Sequence, residues 1–255
     1  MGSGVPAVAV GLSRADGFGL RYLETSGAGY VEREGALTAC WNGRFEDVPP
    51  VRNFPSYQGQ RSFSGLYFAA CMGRHVGFES WLERDQFVML DFSPTVGSFS
   101  CQPFWLLWST AGKARRHAPD VFVRLRDGTG MVVDVRADDR IAPEDAEVFE
   151  VTAAACESVG WAYRRVGAVD PVLAANVRWL AGYRHSRCMR AEYAVRLREV
   201  FAAPVPLLAG AEAVGDRIAV LPTLFHLMWA GTLVADLASA PLNGASLVTV
   251  AGGAR

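Results

Sequence analysis

Lysine is almost absent from this chain of 255 residues: Lys113 is the single lysine among 25 basic residues. Arginine therefore carries nearly all of the positive charge. Because an arginine side chain keeps its proton at any physiological pH, most basic positions are suited to binding anions and unsuited to proton transfer. A site whose chemistry uses a lysine would have only one position to draw on.

Paired cysteines are also missing. The chain has five cysteines, an odd number, and none of them are spaced as CxxC. This pattern favours reduced thiols in a cytoplasm and argues against a structural zinc site. His185 and Cys188 could supply half of a zinc site, but there is no second pair to complete it. The cysteines are Cys40, Cys71, Cys101, Cys156 and Cys188.

No apolar run reaches the roughly 18 residues of a membrane-spanning helix, so we expect no membrane segment. The opening residues, MGSGVPAVAVGL, lack the basic region and long apolar core of a signal peptide. With 51% apolar and 20% charged residues, the composition is that of a globular protein with one large or two small domains.

A net charge of −1 gives no overall attraction to nucleic acid, but basic residues cluster locally. Local clusters matter more than the total charge for contact with phosphates. One cluster lies just before Asp120 and a second lies between the two candidate domains. The first contains Lys113, Arg115, Arg116 and His117, and the second contains Arg184, Arg187, Arg190, Arg196 and Arg198.

Residues 1–50 form a glycine-rich extension of unknown role, with strand-like pieces GYVERE and LTACW. A helix is predicted from Phe78 by apolar residues at a 3.6-residue period. Four apolar runs follow, the last two joined by a hairpin signal, RDGTG. A proline-initiated helix, a strand and an aspartate-capped helix come next. The runs are VGSFSC, FWLLW, PDVFVRL and MVVDVR, and the later elements are Pro143 to Gly160, WAYRRV and DPVLAANVRWLAGY.

Residues 78–166 therefore read α-β-β-β-β-α-β, which predicts an α/β core with a central mixed sheet flanked by helices. From Cys188 onward the predicted elements change to three helices and two short strands, TLVADL and SLVTV. Three helices and a β-hairpin are typical of a winged helix, a module that binds DNA or another protein. We expect domains at residues 51–185 and 186–250, after the extension.

Between Phe78 and Arg136, acids and one base occur in an order suited to metal-dependent phosphodiester cleavage. One acid lies on a helix, one at the head of a strand, and an acid-x-base triplet lies on the hairpin partner of that strand. Carboxylates from neighbouring elements hold a hard cation such as Mg²⁺, and the cation activates water for attack on phosphorus.

The helix acid has two candidates. Glu83 follows Ser80 by three residues, so it is either a metal ligand or the second member of a capping box. Glu79 lies one turn earlier and is the rival. We favour Glu83.

Asp134 interrupts the apolar run MVVDV, and a carboxylate inside a central strand is costly unless it is paired or metal-bound. Asp120 heads the strand that the hairpin brings alongside. Arg136 faces the same way as Asp134 and either pairs with a nearby acid such as Asp138 or Asp139, or stabilises charge on phosphate. Gln102, before Pro103, either orients nucleic acid or a water, or caps a strand edge.

These residues resemble a known family. SxLE at residues 80–83, Gln-Pro beginning nineteen residues after Glu83, PDxxV from Pro119 and the V-acid-V-base strand are similar to the TnsA-type endonuclease subunit of heteromeric transposases. That family has a PD-(D/E)xK restriction-endonuclease-like core followed by a winged helix. The resemblance covers roughly residues 50–250.

The resemblance implies a Mg²⁺-dependent DNA endonuclease, with Mn²⁺ able to substitute, that cuts the 5′ ends of a transposon in the bacterial cytoplasm. It maps the catalytic positions onto Glu83, Asp120, Asp134 and Arg136, and the first three would hold the metal. Arg136 replaces the usual lysine. Gln102, Lys113, Arg115 and Arg116 are expected to position double-stranded DNA. The expected partners are a DDE-type transposase subunit and an AAA+ regulator. The chain itself is expected to bind no nucleotide cofactor.

Two alternatives stay open. The arginine at position 136 is compatible with a catalytically inactive nuclease fold that acts as a scaffold for DNA and protein. A standalone restriction or defence nuclease would share the core and lack the transposase partner.

Overall fold

The structure is a computed structural model, and it describes residues 17–27, 29–53 and 63–252. The fold is mixed α/β. The strands are β1 (Gly19–Ser26), β2 (Gly29–Ala36), β3 (Gly65–Ala69), β4 (Arg74–Phe78), β5 (Val96–Cys101), β6 (Phe104–Thr110), β7 (Lys113–His117), β8 (Val121–Leu125), β9 (Gly130–Val135), β10 (Ala162–Val166), β11 (Val205–Pro206), β12 (Leu233–Val234) and β13 (Leu247–Val250). The helices of these residues are α1 (Leu37–Cys40), α2 (Trp81–Phe92), α3 (Pro143–Ser158), α4 (Pro171–Ala181), α5 (Ala191–Val200), α6 (Leu207–Val214) and α7 (Arg217–Trp229).

The chain divides into two compact units, and each is built from two separate stretches of sequence. The hairpin unit contains the described residues of Met1–Gln60 and Gly97–Gly167. The helical unit contains those of Arg61–Val96 and Ala168–Arg255. The domain limits expected at residues 50 and 185 stay predictions.

The hairpin unit has two four-stranded sheets. One sheet has the order β10-β9-β8-β5, with β8 and β9 antiparallel and β9 and β10 parallel. The parallel pair is joined through α3, because parallel neighbours need a long crossover connection. The predicted RDGTG hairpin and the predicted helix after Pro143 are both confirmed.

The second sheet has the order β2-β1-β6-β7 and is antiparallel throughout. Two expectations were wrong here. The FWLLW run does not join the mixed sheet: it is β6, which pairs with β1 and β7. The LTACW piece contains a short helix, α1, instead of a strand. Strand pairing over this sequence distance leaves no local signal, since FWLLW looks the same in either sheet.

An aromatic cluster fills the core of the hairpin unit. The ring of Phe45 meets those of Phe104, Phe122 and Trp161 edge to face, with centroids 5.0, 5.4 and 5.7 Å apart. Edge-to-face contacts of this kind add about 0.5–1.5 kcal/mol each beyond the burial of their area. Phe45 belongs to the extension whose role the sequence left unknown, so this extension helps to build the core that contains Phe122 of β8.

The helical unit begins with the β3–β4 hairpin and α2. At the end of α2, the buried carboxylate of Asp91 accepts hydrogen bonds from the Tyr67 hydroxyl at 2.9 Å and from the backbone N–H groups of Ala70 and Cys71. It thereby fixes the β3–β4 turn to the helix. The cap predicted for α4 is confirmed: the Asp170 side chain accepts from two N–H groups of the first turn.

Helices α5, α6 and α7 are followed by β12 and β13, which form a small sheet of order β11-β13-β12. The Asn176 side chain of α4 binds the segment between β12 and β13 through the carbonyls of Leu237 and Ala240 and the N–H of Leu242. In the part of the chain that is described, no helix has the length and apolar character needed to cross a membrane.

Candidate functional site

The β8–β9 hairpin places Asp120 and Asp134 next to each other. Val121 at the start of β8 is opposite Val133 in β9, so each aspartate reaches the backbone of the other strand. The N–H of Asp120 donates to Asp134 Oδ1 at 3.3 Å, and the N–H of Val135 donates to Asp120 Oδ2 at 2.7 Å. The two acids that the sequence put on neighbouring strands are thus brought together.

Asp134 is 1% exposed, and both of its oxygens accept hydrogen bonds. His117 Nε2 lies 2.9 Å from Oδ1, and the Tyr163 hydroxyl donates to Oδ2 at 2.9 Å. A buried carboxylate is tolerated only when it is hydrogen-bonded in this way. Burial, with the negative charge of Asp134 beside it, raises the pKa of Tyr163 above its ordinary value. Burial and the same charge raise the pKa of Cys156 to about 12.

Sequence reasoning missed the site roles of His117 and Tyr163. His117 had been noted only as part of a basic cluster, and Tyr163 lies inside WAYRRV. Because β9 and β10 are parallel with Arg165 opposite Asp134, Tyr163 lies two residues earlier on the same face, and its hydroxyl reaches the carboxylate. The sequence pointed to them only through the acid within the apolar run, because a buried carboxylate needs hydrogen-bond donors from neighbouring strands.

Arg136 lies just after β9, and its side chain is 47% exposed. Its Nε and Nη2 atoms donate to Asp145 Oδ2 on α3 at 3.1 and 2.6 Å. The pKa of Asp145 is lowered, chiefly by this hydrogen bond and next by the N–H of Ala142, which also donates to the carboxylate. The partner is neither of the acids considered from the sequence, and Asp138 pairs with Arg165 instead.

Glu83 belongs to the helical unit, whereas Asp120, Asp134 and Arg136 belong to the hairpin unit. Ser80 is the N-cap of α2, as the capping interpretation expected, but the backbone N–H that reaches the Glu83 carboxylate belongs to Glu79 instead of Ser80. Ser80 Oγ accepts from the N–H of Glu83 and donates to Glu83 Oε1, and Glu83 Oε2 accepts from the N–H of Glu79. Glu79 is half-buried. A metal-binding role for either glutamate stays a prediction.

Gln102 is linked to Asp120 through the backbone. Its N–H donates to the carbonyl of Asp120 at 3.0 Å, and its own carbonyl accepts from the N–H of Val51. The residue is 1% exposed and has a φ of 43°, a left-handed conformation uncommon for a side chain of this kind. Gln102 thus joins the turn between β5 and β6 to the head of β8.

The basic residues Lys113, Arg115 and Arg116 lie on β7, an edge strand of its sheet. All three are exposed. The guanidinium of Arg116 lies over the ring of Trp105, 4.3 Å from its centroid. The strand ends at His117, so this row of positive charge leads to the buried Asp134.

Among the described residues, no group of three or more histidine, cysteine, aspartate and glutamate side chains is arranged to hold a metal ion. The hairpin acids are therefore a pair. No protein-family profile matches the chain, and no curated protein gives a significant match.

Proposed function

We propose that this protein is a Mg²⁺-dependent DNA endonuclease that serves as the cleavage subunit of a heteromeric transposase. The observation that carries the proposal is the pair of carboxylates at the β8–β9 hairpin, with Arg136 two residues beyond the second one. Paired carboxylates can hold a metal ion that activates water for phosphodiester hydrolysis, and a nearby arginine can offset charge on the phosphate.

The donors fit the ion. Mg²⁺ is commonly bound through one or two carboxylates, with waters and substrate phosphate oxygens completing its shell. Asp120 and Asp134 supply two carboxylates from one hydrogen-bonded hairpin. When bound, the ion would supply Lewis-acid activation of water and of the scissile phosphate. Glu83 is the third acid that the family resemblance supplies.

Each remaining residue has a role that its environment supports. A guanidinium is a poor proton-transfer group, and Arg136 is half-exposed, so Arg136 would offset developing charge on phosphate and would not act as a base. Lys113, Arg115 and Arg116 would contact the DNA backbone along β7. Gln102 would orient the head of β8 through its backbone bond to Asp120.

The order of elements supports a restriction-endonuclease-like core. A helix (α2), a strand (β5), an antiparallel hairpin (β8–β9), a helix (α3) and a parallel strand (β10) follow one another, and the β6–β7 hairpin is inserted between β5 and β8. The three helices α5, α6 and α7 with the small β11-β13-β12 sheet are compatible with a winged helix. This module would bind DNA or a DDE-type transposase partner, with an AAA+ regulator in the same assembly and a bacterial cytoplasmic location.

A scaffold without catalytic activity is the second candidate, and the hydrogen bonding of Asp134 favours it. Oδ1 accepts from two groups and Oδ2 from one, so a carboxylate with about four lone-pair positions has few left for a metal. Under this alternative, the His117–Asp134–Tyr163 cluster is a structural device and Arg136 binds DNA without cleavage.

A plasmid assay separates the two candidates. Purified wild-type protein, with and without its transposase partner, is incubated with supercoiled DNA in Mg²⁺ or Mn²⁺, beside Asp120→Ala and Arg136→Lys variants. The endonuclease proposal expects metal-dependent nicking that Asp120→Ala abolishes. Absence of cutting under every condition, with DNA binding retained, would establish the scaffold. A standalone nuclease would cut without a partner, and a neighbouring gene for a DDE transposase would argue against it.

A further inference from the structure

The Arg136–Asp145 pair suits an arginine better than a lysine, because a guanidinium can bind two groups through separate edges. A guanidinium has five N–H donors in a planar fork, whereas an ammonium is a single point of charge. Asp145 engages the edge formed by Nε and Nη2. The remaining donors of Arg136, including those of Nη1, belong to a side chain that is 47% exposed.

The anchor is itself fixed. Asp145 lies in the first turn of α3, and the oxygen that binds Arg136 also accepts the N–H of Ala142 at 3.1 Å. Pro143 begins the helix, so Asp145 is held at a defined place beside the end of β9. Behind the strand end, Arg165 donates to the carbonyl of Arg136 at 3.2 Å. Both the backbone and the guanidinium edge of Arg136 are therefore held by neighbouring groups.

We propose that Asp145 is a positioning residue: it holds one edge of the Arg136 guanidinium so that the opposite edge is presented to a DNA phosphate beside Asp120 and Asp134. The proposal rests on the function proposed above and deepens it. The arginine is a two-sided group, anchored through one edge and binding through the other. A lysine at this position has one charged nitrogen, so Asp145 and the phosphate would compete for the same ammonium group.

The test uses Asp145→Asn, Arg136→Lys and the double variant, with Glu24→Gln as the matched control. Glu24 forms a comparable carboxylate–arginine pair with Arg33 at 2.8 Å, in the other sheet of the same unit. Nicking rates are measured at saturating DNA and under subsaturating conditions. The Nε–Hε NMR signal of Arg136, assigned by its loss in Arg136→Lys, is followed with and without duplex DNA in Ca²⁺.

In Asp145→Asn, Arg136 keeps its charge but is no longer held in orientation. We therefore expect kcat to fall about tenfold, as for one misaligned charge-assisted contact, and KM for DNA to stay unchanged. Removing Asp145 should partly rescue Arg136→Lys, because the ammonium is then released. The wild-type Arg136 signal should be protected from exchange and should shift on DNA addition. Asp145→Asn should lose this protection, while Glu24→Gln keeps both the signal and the rate.

Three results would overturn the proposal: an Arg136 signal that is equally protected in Asp145→Asn, strictly additive effects in the double variant, or cutting that is unaffected by Asp145→Asn. These are distinct from failure of the proposed function. A wild-type protein that never cuts, but whose Arg136 signal shifts with DNA and depends on Asp145, would refute the endonuclease and leave the positioning role standing. Metal-dependent cutting that is unaffected by Asp145→Asn would support the endonuclease and refute the positioning role of Asp145.

Discussion

Removing the hydroxyl of Tyr163 tests whether its hydrogen bond to the buried Asp134 stabilises the hairpin unit. In Tyr163→Phe the ring keeps its packing, but Asp134 Oδ2 loses its 2.9 Å donor at a site where Asp134 is 1% exposed. A hydrogen bond to a charged group contributes about 1.5–3 kcal/mol, and leaving a buried acceptor unsatisfied incurs its desolvation penalty. We therefore expect the free energy of unfolding to fall by about 2 kcal/mol.

The assay is urea unfolding followed by circular dichroism. With a slope of about 2 kcal/mol per molar urea, the expected loss lowers the transition midpoint by about 1 M. Tyr30→Phe is the matched control, since Tyr30 is in the same unit and is 56% exposed; its effect should stay within about 0.5 kcal/mol. Equal midpoints for the two variants would refute the reasoning, because Asp134 would then not depend on Tyr163.

Two further predictions concern buried carboxylates and their tyrosines. Asp91→Asn should lower the free energy of unfolding of the helical unit by at least about 2 kcal/mol, since an amide replaces an acceptor of three donors; urea midpoints unchanged from wild type would contradict this. Burial first, and then the adjacent carboxylate, raises the pKa of Tyr67 and of Tyr163 above the ordinary value of about 10. The contribution of these protonated phenols to the free energy of unfolding is fully present below about pH 10, and it is lost as the pH rises through the raised pKa values. In a pH titration followed by phenolate absorbance, both tyrosines should therefore ionise only when the protein unfolds. Early ionisation of either in the folded protein would count against its hydrogen bond.

Local sequence signals predicted much of the fold, because turns and caps are specified by a few adjacent residues. The RDGTG hairpin, the start of α3 at Pro143 and the Asp170 cap of α4 are examples. The same hairpin signal also placed Asp120 beside Asp134, which is the part of the candidate site that the sequence could predict.

The remainder depends on pairing between distant segments, which leaves no local pattern. The pairing of β6 with β1 joins residues more than eighty positions apart, so the FWLLW run gave no hint of its sheet. Tyr163 reaches Asp134 only because β10 pairs with β9 in one particular register. The choice of Asp145 over Asp138 as the partner of Arg136 depends on where α3 begins relative to the end of β9.

The most direct test of the central claim, that the hairpin acids hold a catalytic cation, is an anomalous diffraction measurement on crystals soaked with Mn²⁺. If the hairpin acids hold a cation, a Mn²⁺ peak lies within about 2.6 Å of carboxylate oxygens of both Asp120 and Asp134, and the peak is absent from Asp120→Ala crystals. Fully soaked crystals without a peak at the hairpin, in the presence of bound DNA, would contradict the account.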